Sequence, residues 1–317
     1  MISRRTFLAA ASAVIASPIA HRIAAEEPQP APPAYIDIHT HLGQTWNTTE
    51  PLSAETLLRW MDAHHITHAV VLPLTSPESS SYLITTDFVL EATRPFRDRL
   101  LPFCSIDPRT SYSGGKKGLL DILKKWQEAG CLGFGEHKPG ISIDDPRSMT
   151  LYGSCAELKL PLLFHLDQQR NTDKPGLPGL EKVLQSFPEG RFIGHGPGFW
   201  ASIAGGISAA DLGGYPKGKI DQPGALDHLL KTYKNLYCDL SAGSGAGAIS
   251  RDLVFGREFL IRHQDRILFG TDYLAPKQDV PQFELFQTKI ELPPEVLLKI
   301  SSDNARELLP LTSSVKE

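Results

Sequence analysis

Cysteine is scarce and scattered in this chain of 317 residues: Cys104, Cys131, Cys155 and Cys238 form no C-x-x-C pair. That spacing excludes a zinc ribbon and suggests no disulfide framework. Cys104, Cys131 and Cys238 lie in or beside apolar runs, so buried free thiols are expected there. No basic cluster occurs, and the net charge is −4, which argues against nucleic acid as the main partner. No Gly-x-Gly-x-x-Gly follows the first apolar run, so the dinucleotide-binding fingerprint is missing. Beyond the N-terminus, no segment approaches the ~18 apolar residues of a membrane span. What is present, 41% hydrophobic and 21% charged residues, is enough to build a sizeable soluble core.

The N-terminus reads as an address. MISRRTFLAAASAVIASPIA pairs Arg4 and Arg5 between Ser3 and Phe7-Leu8, then continues Ala-rich and apolar. It resembles a twin-arginine export signal, which a receptor reads and which does not anchor the chain. An ordinary secretory signal or an uncleaved anchor is the alternative. The expected organisation is a signal over 1–25, a Pro-rich linker over 26–34, a barrel over 35–310 and a tail over 311–317. It implies the twin-arginine export machinery as a partner, a periplasmic or secreted location, and no stable membrane anchor after cleavage.

From Tyr35 onward, short apolar runs alternate with helical patterns. The runs are YIDIH (35–39), HAVVLPL (68–74), LLPFCSI (100–106), CLGFGEH (131–137), LPLLFH (160–165), RFIGH (191–195), NLYCDL (235–240) and RILFG (266–270). Their nearly continuous hydrophobicity suits strands covered on both faces. Between them, SAETLLRWMDAHH starts at Ser53 with Glu55 in its first turn, and KGLLDILKKWQEAG stops at Gly130. LPGLEKVLQSF and GALDHLLKTY repeat apolar residues at spacings of three and four. Eight strand–helix units point to an α/β fold, a (β/α)8 TIM barrel. A doubly wound open sheet shows similar patterns and is the alternative. The long connections after strands five, six and seven (LDQQRNTDKPG, Gly196 to Gly224, and SAGSGAG) belong to the C-terminal face, where barrel active sites are built.

Ligand-type side chains fall at that face. His39 and His41 end strand one, Glu136 strand four, His165 strand five and His195 strand six, and Asp272 follows strand eight. Residues two apart on a strand point the same way, so His39 and His41 can both face inward, with Asp37 beside them. Histidines and carboxylates together suit a divalent metal, with zinc, manganese and iron all compatible. HHITH (His64, His65, His68) is richer in histidine, but it joins helix one to strand two at the opposite face, where residues serve stability. His137 is expected to point out of the barrel, and His228 and His263 to lie on helix surfaces.

HxH on strand one, His on strands five and six and Asp on strand eight, with RILFGTDY and SSDNARELL, resemble the amidohydrolase superfamily. The similarity is greatest to the amidohydrolase-related branch that includes aminocarboxymuconate-semialdehyde decarboxylase, and it runs from about Tyr35 to Leu309. It implies one or two divalent metals, usually zinc, held by His39, His41, Glu136, His165, His195 and Asp272. The expected reaction is cleavage of a C–O or C–N bond in a lactone, ester or amide by metal-bound hydroxide. Asp272 would be the general base, and His195 either a proton donor or a ligand of a second metal. Glu136 resembles the strand-four glutamate of the metal-dependent deoxyribonuclease branch, which bridges two metals, and Lys138 on the same face is its rival or a substrate contact. Non-oxidative decarboxylation of an unsaturated acid is the alternative, and a non-catalytic periplasmic binding barrel a further one. A small-molecule substrate would meet Trp46, Trp200 and Tyr273 as an aromatic wall, and Arg109 and Arg170 as carboxylate binders. The family also makes a homodimer a common state.

Overall fold

The computed structural model describes residues 33–45, 48–309 and 311. The signal segment, most of the Pro-rich linker, Trp46 and the tail beyond residue 311 lie outside the described residues. All eight apolar runs form strands, all but the first shorter than the run: β1 (Tyr35–Thr40), β2 (Ile66–Val71), β3 (Leu100–Pro102), β4 (Phe134–His137), β5 (Leu162–His165), β6 (Phe192–His195), β7 (Leu236–Asp239) and β8 (Ile267–Leu268). Every strand pairing is parallel, in the orders β1-β2-β3 and β4-β5-β6-β7-β8. Two parallel bridges join these groups, Cys104 to Phe134 and Thr40 to Tyr273, and Ile38 N–H donates to Phe269 O at 3.1 Å. The result is a (β/α)8 barrel.

Local chemistry accounts for the helices. In α1 (Ala54–Ala63) the Ser53 hydroxyl accepts from Thr56 N–H, satisfying one of the unpaired donors of the first turn. Further helices follow the strands: α2 (Thr86–Thr93), α3 (Gly115–Glu128), α4 (Pro146–Glu157), α5 (Pro178–Ser186), α6 (Pro197–Ala201), α7 (Ala225–Thr232), α8 (Ala242–Ser250) and α9 (Leu253–Arg262). SAGSGAG is therefore no open loop; most of it opens α8. Its small residues permit close packing: a Cβ on Gly245 would come within 2.3 Å of Leu240 O.

Two apolar layers hold the barrel. Ile36, Ile38, Val70, Leu72, Leu101, Phe103, Leu163, Ile193 and Leu268 fill the interior, with Leu308 and Leu309 packed against them. A larger shell between strands and helices includes Tyr35, Leu57, Phe134, Phe164 and Trp200. Each such side chain contributes roughly 1.5–3 kcal/mol on burial. Strict alternation would put Ile36 and Ile38 on the opposite face of β1 from His39. The register of β1 on β2 is irregular between Asp37 and Thr40, which lets the apolar floor and the histidines above it share the interior. All four cysteines are buried and free. No helix among the described residues is long and apolar enough to cross a membrane.

Candidate metal centre

Five buried side chains and the partly exposed Asp272, from five strand ends, converge above that floor. His41 Nδ1 lies 2.9 Å from Leu72 O; a carbonyl only accepts, so the proton sits on Nδ1 and Nε2 carries a lone pair. His39 Nδ1 is held by Asp239 Oδ2 at 2.6 Å, which fixes the same tautomer. The two Nε2 atoms then face each other at 3.1 Å. Asp272 Oδ1 lies 3.4 Å from His41 Nε2 and 3.5 Å from His39 Nε2, buried and without a hydrogen-bond partner. Two lone pairs and an unpartnered carboxylate oxygen converging in a dry site repel one another unless a cation lies among them. The donor set fits a divalent metal.

Glu136 links two sides of the centre. Its Oε2 is 3.6 Å from His41 Nε2 and 3.8 Å from His39 Nε2, while its Oε1 is 3.1 Å from His165 Nδ1 and 3.8 Å from His195 Nε2. His195 Nδ1 accompanies Ser241 Oγ at 2.9 Å and Asp239 Oδ2 at 3.2 Å, so its Nε2 points inward. Ligand-capable atoms of three triads lie within 4.8 Å of one another: His39, His41 and Glu136; His39, His195 and Asp239; and Glu136, His165 and His195.

Two glycines permit these positions. Gly135, beside Glu136, has φ +136°, and a Cβ would meet Leu163 O at 2.4 Å. Gly196, after His195, has φ +99°, and a Cβ would come within 3.0 Å of His165 Cε1.

The fields are strong because water is excluded. Burial pushes the Glu136 carboxyl up, but Lys138, His165 and His39 outweigh it and hold the group well below its usual range. Asp272 is likewise raised by burial, yet His39 and His41 bring it below the ordinary value. Burial lowers His39, but Asp272 and Asp239 raise it well above an ordinary imidazole. Burial and then the neighbouring His39 lower His195. A centre that draws a proton onto His39 is one that attracts positive charge.

The remaining expected residues lie in different environments around this centre. Lys138 Nζ is 2.5 Å from Glu136 Oε2, and both side chains are buried. Arg109 forks onto Glu78 at 2.8 and 2.7 Å and also bonds Asp107, so its guanidinium is occupied by the chain's own acids. Arg170 Nη1 bonds Asp167 Oδ2 at 2.6 Å, the same oxygen that meets His165 Nε2 at 3.0 Å. Tyr273 stacks on Trp60 with centroids 3.8 Å apart and is only 2% exposed, so it is packing behind the strands and not a mouth wall. Trp200 is 1% exposed and donates to Asp239 O at 2.8 Å; it is a buried wall to one side, not a mouth residue. Asp37 bonds Thr271 Oγ1 and N–H and its own neighbour His39 N–H, tying β1 to the residues after β8 and orienting no imidazole ring. His137 does point out of the barrel, onto Ser148 and Tyr152. His228 is exposed, but His263 is buried against Asp227 at 2.9 Å, because α9 turns that residue towards α7.

The sequence reading missed Asp239, Ser241 and Asp167. Asp239 orients both His39 and His195, as carboxylates behind metal-binding histidines do. The signal was available: Asp239 ends the seventh strand just as His165 and His195 end the fifth and sixth.

Solved structures share the fold. A TIM-barrel protein from Bordetella bronchiseptica matches with TM-score 0.57 and 17% identity, over 81% of this chain and 82% of that one. A probable 2-pyrone-4,6-dicarboxylic acid hydrolase from Acinetobacter baumannii, with citric acid bound, matches with TM-score 0.54 and 14% identity, over 87% and 98%. A 5-carboxyvanillate decarboxylase from Novosphingobium aromaticivorans, complexed with manganese and 4-hydroxy-3-methoxy-5-nitrobenzoic acid, matches with TM-score 0.52 and 14% identity, over 86% and 96%. No curated protein sequence matches the chain. The amidohydrolase family model covers residues 36–311, from the first strand to the last described residue and through all six converging ligand-type residues: the chain belongs to the amidohydrolase family.

Proposed function

We propose that the centre is that of a metal-dependent hydrolase acting on an uncharged lactone, ester or amide. One observation carries this choice over decarboxylation of a carboxylic acid. The three cations that the sequence nominated near the mouth, Lys138, Arg109 and Arg170, each lie against a carboxylate of the chain itself. A substrate carboxylate would have to displace Glu136, Glu78 or Asp167; the Lys138–Glu136 pair is fully buried, and a buried charge pair is costly to break. The fold alone does not choose, since one neighbour is described as a hydrolase and another as a decarboxylase.

The chain's own residues divide the work. His39 and His41 present Nε2 lone pairs, and Asp239 and Leu72 O keep them so oriented. Asp272 is the general base: its Oδ1 is unpartnered, and its side chain keeps 14% exposure where His39, His41 and Glu136 keep none. It can take a proton from the attacking water at Oδ1 and return it to the leaving oxygen or nitrogen. His195, with Nδ1 held by Ser241 and Asp239, presents Nε2 as the second proton-handling group. A divalent metal bound among these donors supplies Lewis acidity, polarising a carbonyl and acidifying water; the imidazole-rich set favours zinc.

Lys138 bears on how many ions fit. Its ammonium lies against Glu136 Oε2, the oxygen that faces His39 and His41. Glu136, Asp272 and Asp239 carry three negative charges and Lys138 one positive, leaving −2, the charge that one divalent ion and not two would balance. The reading is therefore one metal per chain. Export of the folded, metal-loaded protein by the twin-arginine route to the periplasm belongs to the same proposal, resting on Arg4 and Arg5 in their sequence context.

The test is a screen of the metal-loaded protein against uncharged lactones, esters and amides beside unsaturated and aromatic carboxylic acids, with carbon dioxide detection. Turnover of an uncharged substrate without carbon dioxide is expected; carbon dioxide release from an acid overturns the choice. Mass-spectrometric metal analysis should give one ion per chain, rising in Lys138→Met. Two ions in the unaltered protein would overturn the count.

A further inference from the structure

Between α6 and α7 the chain runs over residues 202–224 with a single 3₁₀ turn, Ala210–Gly213. Connections of that length are uncommon in compact domains and are usually functional. This one is closed at its neck. Ala204 pairs with Pro223 in an antiparallel bridge, Gly205 N–H donates to Gln222 O at 2.9 Å, and Gly224 N–H donates to Ile203 O at 2.8 Å. The 3₁₀ turn is seated on the strand-five side: Leu212 is buried, Gln168 Nε2 donates to Ala209 O, and a Cβ on Gly213 would meet Gln168 Oε1 at 2.4 Å. Three residues on, the loop is tied to the strand-seven side, where Arg251 at the end of α8 donates from Nη1 to Pro216 O at 2.9 Å.

Tyr215 stands between these two anchors. Because β6 lies between β5 and β7, that places it over the strand end that carries His195. The residue before a proline is confined to extended backbone, so Pro216 helps set the direction in which Tyr215 is presented. The tip itself is not packed down. A Cβ on Gly214 or Gly218 would meet nothing within 4 Å, and a space of about 230 Å³ separates Tyr215 from Pro197 and α8.

An exposed aromatic residue by itself is ordinary. Tyr215 differs in what surrounds its hydroxyl. Burial and then the charge of Asp272 push the phenol up, Arg170 opposes them, and Asp167 adds to the rise. These charges come from the ends of strands five and eight, so the hydroxyl projects into the space between them while the residue stays 58% exposed. Among the described residues the ring stacks on no other ring, and the hydroxyl has no hydrogen-bond partner. At neutral pH the phenol keeps its proton and is a donor. A donor held over a mouth whose deeper groups are carboxylates and imidazoles complements an oxygen acceptor.

We infer that Tyr215 is a substrate-contacting residue: the loop holds its ring across the strand-six side of the mouth, and its O–H donates to an oxygen of the molecule bound beside Asp272. That this molecule is an uncharged lactone, ester or amide rests on the hydrolase reading; the contact with a bound oxygen acceptor does not.

The experiment labels the zinc-loaded protein with 3-fluorotyrosine and titrates it with benzohydroxamic acid, an uncharged probe whose two oxygens chelate zinc. The fluorine resonance missing from Tyr215→Phe is that of Tyr215, and a saturable shift of it is expected. Tyr215→Phe should weaken probe binding about threefold to tenfold, one hydrogen bond's worth. Tyr215→Ala should weaken it further, with metal content unchanged in both. Probe binding that leaves the Tyr215 resonance unmoved, or equal binding by Tyr215→Ala, overturns the inference, and so does absence of saturable binding to the zinc-loaded protein. A Tyr215-dependent probe site in a protein that turns over no lactone, ester or amide supports the contact and overturns the hydrolase reading instead.

Discussion

DIHTH and HHITH are two histidine-rich stretches at opposite ends of the barrel, and the one with fewer histidines builds the centre. In the first, His39 and His41 are fully buried and have Nδ1 atoms locked by Asp239 and Leu72 O, with Glu136 and Asp272 facing their free nitrogens. In the second, His64 bonds Trp60 O and stacks on Phe283, and His65 is exposed with φ +58°. His68 is lowered by burial and then by Arg306 and Arg99, surroundings that repel a cation. None of these three joins a potential metal-holding group among the described residues. Histidine count is therefore a poor guide. Fixed tautomers and converging carboxylates distinguish the two ends.

Removing a donor should break the contrast most sharply. His41→Ala is expected to weaken metal binding by more than about 100-fold, beyond what loss of a supporting residue does, read as metal content after dialysis. A His41→Ala protein with full metal content would remove the distinction between the two stretches. Asp239→Asn keeps every donor but loosens His39 and His195, so a loss of about 10–100-fold in metal affinity is expected. No change would mean that backbone placement alone orients the rings.

His137 sharpens the comparison from a third environment, buried with no carboxylate bonded to it. Burial lowers its imidazole to about 3, against an unfolded value near 6.5. Below pH 6.5 the unfolded chain binds a proton that the folded chain refuses. This contribution is thus intact above pH 6.5 and is lost as pH falls towards 3. Between pH 6 and 5 the unaltered protein should lose about 1 kcal/mol more stability than His137→Leu, measured by denaturant unfolding. The smallest effect belongs to the far end. His65→Ala should leave metal content unchanged and stability within about 0.5 kcal/mol; altered metal content there would show that HHITH participates after all.

Much of this was legible along the chain. Strands, helix starts such as Ser53 and the strand-end positions of His39, His41, Glu136, His165, His195 and Asp272 follow from period and neighbouring residues. SAGSGAG misled because glycine and serine suit both open linkers and tightly packed helices, and only close approach to Leu240 separates the two. His263 misled because a helix face is exposed or buried according to what packs on it.

By itself, the sequence determined that ligand-type residues recur at the ends of successive strands, because alternation and hydrophobicity are local properties of the chain. Only the tertiary structure decided who partners whom. His39 meets Asp239 across 200 residues, Arg109 meets Glu78 across 31, and Trp200 turns to Asp239 O across 39. Such pairs depend on distances of a few ångströms between segments that the barrel brings together, and no local pattern encodes them. Lys138 and Glu136 were visible as neighbours on one face, but the 2.5 Å between them, which bears on the metal count, is set by burial in a space that eight strands enclose.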